Sequence, residues 1–209
     1  EITDYMHLPA QGQRHSTKPL LPWLIRKVRV IRGTVQFKME CYPAFNYALD
    51  SHETKILTDA TTEDQKNMAN LEAKLYPEQD THYYAANDRV VFASENMTMD
   101  LRHLVKCGDF DCPLVKTVID EQDTGHKGPG VYAEFDLQET QEVSFVFREV
   151  PDSEASHPPA EEDAVDRRLR MAFDPPLTMS LLDALFRQTL KLLTYEPVTY
   201  EPMIISTVF

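Results

Sequence analysis

Apolar and polar residues alternate with a period of two along several parts of the chain. Between Trp23 and Tyr42, Leu24, Val28 and Val30 interleave with Lys27 and Arg29. Val35, Phe37, Met39 and Cys41 then interleave with Gln36, Lys38 and Glu40. Such a period, rich in β-branched residues, puts one face of a strand in a core and the other in water. Gly33-Thr34 fits a two-residue type II′ turn with glycine first. The expectation is a hairpin with Val30 facing Phe37 and Val28 facing Met39. Lys27 would lie opposite Glu40 on the wet side, a favourable charge pair.

Further along, Tyr42-Pro43-Ala44-Phe45-Asn46-Tyr47 sets aromatics around a proline that ends regular pairing. Residues 51–87 are polar, with a short helix expected near Glu63–Leu75. Strand signal returns at Arg89–Ala93 and at Met97–Leu104, where Met97, Met99 and Leu101 alternate with Thr98, Asp100 and Arg102. A turn cluster, Gly125–Gly130, precedes Val131, Ala133, Phe135 and Leu137. Val143, Phe145 and Phe147 read as a partner strand across Gln138–Glu142. Strands with one apolar face must bury it, and a second sheet is the usual cover. The expected fold is mainly β: an antiparallel β-sandwich, then an acidic linker and a short amphipathic helix. Pro151–Glu162 has linker composition. Leu182, Leu185, Phe186, Leu190 and Leu193 recur at helical spacing, with Thr178 or Ser180 as candidate caps. The expected divisions are a sandwich over 1–150, a linker over 151–177, a helix and following segment over 178–197, and an unassigned tail over 198–209.

Charge narrows the partners. With 34 acidic against 21 basic residues the formal net charge is −13, so nucleic acid and anionic membrane surfaces are both repelled. No apolar run is long enough to span a bilayer. Three cysteines, Cys41, Cys107 and Cys112, do not make a disulfide framework. That leans the expectation towards a reducing, cytoplasmic setting. Asn96-Met97-Thr98 is a formal glycosylation sequon, but it falls inside an expected strand and reads there as chance.

Candidate chemistry is sparse. His103, Cys107 and Cys112 have zinc-ligand chemistry, yet lack a paired Cys-x-x-Cys and a fourth ligand; ordinary cysteines in a strand-to-loop segment are the simpler reading. Paired carboxylates can cleave glycosidic bonds. Asp109, Asp111, Asp120 and Glu121 fall in expected loops, and Glu40 and Glu134 on solvated strand faces. No nucleophile elbow, phosphate loop or His-Glu-x-x-His motif occurs. No catalytic residue, metal ligand or cofactor is therefore assigned. Tyr42, Phe45 and Tyr47 are the candidate carbohydrate contacts, since aromatic faces stack on pyranose rings. The alternative is that they plug one end of the sandwich.

Several segments, read in order, resemble one family. Ile2-Thr3-Asp4-Tyr5-Met6 is similar to the entry strand of trehalase-like N-terminal domains attached to glycoside hydrolase family fifteen enzymes. The most specific likeness is Leu24–Gly33 followed by Phe37–Cys41 and Pro43–Ala48. Val91–Arg102 and Gly128–Phe135 resemble later strands. The likeness spans about Ile2–Arg148 and is nearest to fungal members. It implies a non-catalytic β-sandwich ahead of an (α/α)6 barrel that hydrolyses α-glucosidic bonds, as in trehalose or α-glucan. In the family two barrel glutamates act as acid and base; no position here matches either. The partner so implied is the catalytic barrel, absent from this chain. The resemblance further leads one to expect that strands upstream of Ile2 are lost, and that Leu190–Pro197 is a remnant of the start of the barrel. A carbohydrate- or protein-binding module acting without a catalytic domain is the alternative function.

Overall fold

A computed structural model describes residues 1–6, 21–58, 83–85, 88–108, 110–122, 125–150, 175 and 177–194. The helix expected near Glu63–Leu75, the Pro- and acid-rich stretch Pro151–Glu162 and the tail over 198–209 lie outside the described residues, as does Asp109. Among the described residues the fold is mainly β, with two antiparallel sheets and one α-helix near the C-terminal end. The strands are β1 (Ile2–Met6), β2 (Leu24–Arg29), β3 (Thr34–Cys41), β4 (His52–Thr58), β5 (Tyr83–Ala85), β6 (Asp88–Ser94), β7 (Thr98–Lys106), β8 (Val118–Asp120), β9 (Gly130–Gln138) and β10 (Glu142–Glu149). The helix α1 spans Met179–Thr194. The larger sheet runs β1-β2-β10-β7-β6-β4, with β5 also paired to β7, and the smaller runs β3-β9-β8.

The strands form where alternation predicts them, but two pairings differ from expectation. β2 and β3 are not a hairpin. β2 pairs with β1 and β10 in the large sheet, whereas β3 pairs with β9 in the small one. Likewise β9 and β10 are not partners; the chain crosses from one sheet to the other between them. Both crossings lie at one end of the sandwich and are bonded to each other. The Val30 N–H donates to the Gln141 carbonyl at 3.3 Å, and the Thr140 N–H donates to the Val30 carbonyl at 3.2 Å. Gly33 (φ 80°) and Thr140 (φ 73°) supply the left-handed backbone these reversals need. The buried Gln141 side chain completes the corner. Its Oε1 accepts from the Gln138 N–H at 2.8 Å and its Nε2 donates to the Asp111 carbonyl at 2.8 Å. A buried amide so satisfied avoids the desolvation cost of an orphaned polar group.

Between the sheets lies a core of Val28, Val30, Val90, Phe92, Leu101, Val105, Val131, Ala133, Phe135, Leu137, Val143 and Phe145, with Phe37 and Met39 packed against it. Phe37 lies beside Phe135 with ring centroids 5.8 Å apart. Leu24, expected inward, is exposed, and Ile25 is buried in its place on the opposite face.

That opposite face is the other departure from a simple half-wet sandwich. Tyr5, Trp23, Ile25, Leu104 and Val146 form a second cluster, covered by Leu177, Met179, Leu182 and Leu185 of the α1 region. The helix therefore packs on the back of the large sheet. Burying each such leucine contributes on the order of 2 kcal/mol. Thr178 is the cap, its Oγ1 accepting from the Leu181 N–H at 3.2 Å. The Tyr5 hydroxyl donates to the Leu182 carbonyl at 3.2 Å. Lys27 pairs with Glu142 at 2.9 Å and with Asp183 of α1 at 3.7 Å, not with Glu40. Glu40 instead meets Lys38 of its own strand at 2.7 Å.

β7 is consequently buried on both faces, and Asp100 and Arg102 are not a wet side. Asp100 is fully buried. Arg148 Nε donates to its Oδ1 at 3.0 Å, Arg102 Nε to its Oδ2 at 2.9 Å, and Arg89 lies 3.9 Å away. The Arg148 guanidinium also sits over the Trp23 ring, 5.3 Å from its centroid.

Candidate functional site

The three aromatics proposed to contact sugar leave β3 together and then part. After Pro43 the chain makes a single turn over Phe45–Ala48 in which Asn46 (φ 47°), Tyr47 (φ 58°) and Ala48 (φ 61°) are all left-handed. Asparagine tolerates that region; tyrosine and alanine do so at roughly 1–2 kcal/mol each. Three such residues in sequence persist only when their surroundings hold them. The holding contacts are specific. The Leu49 N–H donates to the Asn46 carbonyl at 3.0 Å, and Asn46 Nδ2 to Asp50 Oδ1 at 3.3 Å. Lys127 Nζ donates to the Leu49 carbonyl at 2.8 Å, and the His52 N–H to the Lys127 carbonyl at 3.1 Å.

The outcome for each aromatic differs. Phe45 is buried, its ring 5.1 Å from that of His52, so it anchors the turn and offers no face to a ligand. Tyr42 is half-buried. Its hydroxyl donates to Asp120 Oδ2 at 2.6 Å, and its ring lies edge-on to His126 at 6.0 Å. Tyr47 is 94 % exposed and stands at the crest of the turn. Of these three, Tyr47 presents the open aromatic face.

Around Tyr42 the loop 125–130 closes tightly. His126 Nδ1–H donates to the Tyr42 carbonyl at 2.8 Å. A Cβ on Gly130 would overlap the Tyr42 ring, and one on Gly128 the His52 ring. The glycines of Gly128-Pro129-Gly130 are therefore there for close approach. The bond to Asp120 pushes the Tyr42 phenol up to about 12. The same bond, helped by the Gln122 N–H, holds the Asp120 carboxyl below its usual range. Asp120 lies at the end of β8, not in a loop, and is an ionised acceptor for Tyr42. Glu40 and Glu134 are exposed, as expected. The geometry can position an aromatic side chain; it brings no second carboxylate to Asp120 among the described contacts.

The cysteine reading needs correction. Cys107 and Cys112 form a disulfide, with Cys107 fully buried and Cα atoms 4.4 Å apart. They are not ordinary thiols, and as a disulfide they supply no thiolate to a metal. His103 of the same segment faces the inter-sheet core, its ring 5.9 Å from Phe145. Among the described residues no three metal-ligating side chains cluster. Cys41 remains a thiol, pushed up to about 11 by burial.

Lys127 and His126 were not singled out by sequence, and Asp120 only as a carboxylate in an expected loop. The glycine cluster at 125–130 marks a turn, but its contact with Tyr42 joins positions 84 residues apart. Nothing local reports such a contact. No protein-family model matches the chain, and neither a curated protein nor a solved structure does.

Proposed function

We propose that this chain is a non-catalytic accessory domain of an α-glucoside hydrolase, of the glucoamylase- and trehalase-like kind, acting in carbohydrate metabolism by supporting a separate (α/α)6 barrel. One observation supports the reading above others. The segments that carry the resemblance, Leu24–Gly33, Phe37–Cys41 and Gly128–Phe135, are the ones that build the crossing at Val30–Gly33, the small sheet and the glycine contacts to Tyr42 and His52. Motif and architecture coincide, as they do where a sequence pattern encodes a scaffold. Function carried on such a scaffold has to be tested at its site.

The test is the coding DNA on both sides of the present ends, together with an activity assay. An in-frame helical barrel bearing its own acid and base glutamates is expected. Flanking sequence encoding no barrel removes the reading. The purified chain is expected to release no glucose from trehalose or maltose, and release would overturn it.

A second reading, a carbohydrate-binding module, is favoured by Tyr47 alone, an open ring on a turn held in strain. Retention on immobilised starch that is lost in Tyr47→Ala would support it. Retention unchanged in that variant would place any glucan contact elsewhere.

A further inference from the structure

In the sequon Asn96-Met97-Thr98 the acceptor Asn96 does not lie inside a strand, and Thr98 is the first residue of β7. β6 ends at Ser94 and β7 starts at Thr98, so Asn96 sits in the middle of the three-residue connection Glu95-Asn96-Met97 of their hairpin. The Ser94 N–H donates to the Met97 carbonyl at 2.9 Å and closes it. Glu95, Asn96 and Met97 are all exposed. A large substituent on the Asn96 amide extends off the end of the sheet and covers neither its core face nor its helix face. A strand position in β7 would allow none of this, because β7 is buried on both sides.

The Cys107–Cys112 disulfide is the second, independent observation. Disulfides persist in oxidising compartments and are rare in reducing ones. In eukaryotic cells the compartment that forms them also attaches glycans to Asn-x-Ser/Thr. From the exposed hairpin turn and the disulfide together, we infer that Asn96 is an N-glycan acceptor and that the chain matures in a secretory lumen. The donor is a lipid-pyrophosphate-linked oligosaccharide. In the transfer, Asn96 Nδ2 forms a bond to the anomeric carbon of the first sugar. The bond from that carbon to the pyrophosphate oxygen breaks. The lipid pyrophosphate leaves with the electron pair, and one amide proton is lost to base.

The site lies next to Ser51, whose carbonyl accepts from the Ser94 hydroxyl at 3.0 Å. A glycan here therefore stands at the end of the sandwich that also carries the turn after Phe45. It shields that end from solvent without touching the inter-sheet core.

Peptide mapping of the full chain purified from the cells that make it naturally tests the inference. The peptide containing Asn96 is expected to carry a glycan that peptide-N-glycosidase removes, leaving aspartate in its place. Expressed behind a secretion leader, the chain with Asn96→Gln is expected to lose the glycan. Thr98→Ser, which keeps both sequon and fold, is expected to retain it. Thiol titration of the unreduced, denatured chain is expected to find one thiol. An unmodified Asn96 peptide, or three titratable thiols, would overturn the inference.

Discussion

Acidification isolates the contribution of one buried side chain, His103. It lies on the core side of β7, 5 % exposed, and its Nε2 has no hydrogen-bond partner among the described residues. Burial pushes its pKa down to about 4, against smaller upward effects from Asp88 and a backbone hydrogen bond with Val115. In the unfolded chain an imidazole titrates near about 6.5. Between those values the unfolded chain binds a proton that the folded one refuses. Stability from this residue is therefore intact above pH about 6.5 and falls as pH drops towards 4. A separation of roughly 2.5 pKa units corresponds to about 3 kcal/mol. Urea unfolding of the wild type and of His103→Gln at pH 7, 5.5 and 4.5 measures it. Carboxylates such as Asp4, held low by Arg26, add their own acid loss in both proteins, so the difference between the two slopes is the readout. The variant is expected to lack most of the decline between pH 6.5 and 4.5. Identical slopes would refute the assignment of a neutral, desolvated imidazole.

Leu182→Ala should destabilise the sandwich itself by about 3 kcal/mol, since it opens a cavity against Ile25 and Leu104; denaturant midpoints would show it. Asp100→Ala removes the buried carboxylate that Arg148 and Arg102 both bond and should cost about 3–5 kcal/mol by the same measurement. Ala48→Gly should stabilise the fold by about 1 kcal/mol by removing the left-handed penalty, and a fall in Tm would count against the strained turn. Gly130→Ala should destabilise by about 1–3 kcal/mol and alter the near-UV signal of Tyr42, whose ring the new methyl would displace.

The positions of β2, β3, β7, β9, β10 and α1 could be read from alternation and helical spacing, and the Thr178 cap from its residue type. Pairing could not. Val28 and Met39 point inward whether their strands share a sheet or face each other across the core, so a period of two is the same in both arrangements. Gly33-Thr34 matches a hairpin turn, yet Gly33 serves a reversal that changes sheets. The double burial of β7 was hidden because Asp100 and Arg102 are charged; their partner Arg148 arrives 48 residues later. At the turn, asparagine and proline signalled irregular chain. Which aromatic is buried depended on the distant His52 pocket and the loop 125–130. The disulfide was missed because an odd cysteine count weighs against a framework but says nothing about one local pair.

The two joined crossings also set the order in which the molecule can be made. β2 emerges early from the ribosome, but β10, which pairs along its inner edge, follows more than a hundred residues later. β3 likewise waits for β9. The small sheet cannot close until Gln138 has cleared the exit tunnel, nor the large one until about residue 149, and meanwhile the earliest strands hold apolar faces and open edges in the cytosol or lumen. Non-local pairing of this kind folds slowly and exposes aggregation-prone edges. Fragments that end before Glu142 should therefore depend on chaperones. For the large sheet, the last strand to appear is the one that joins β2 to β7.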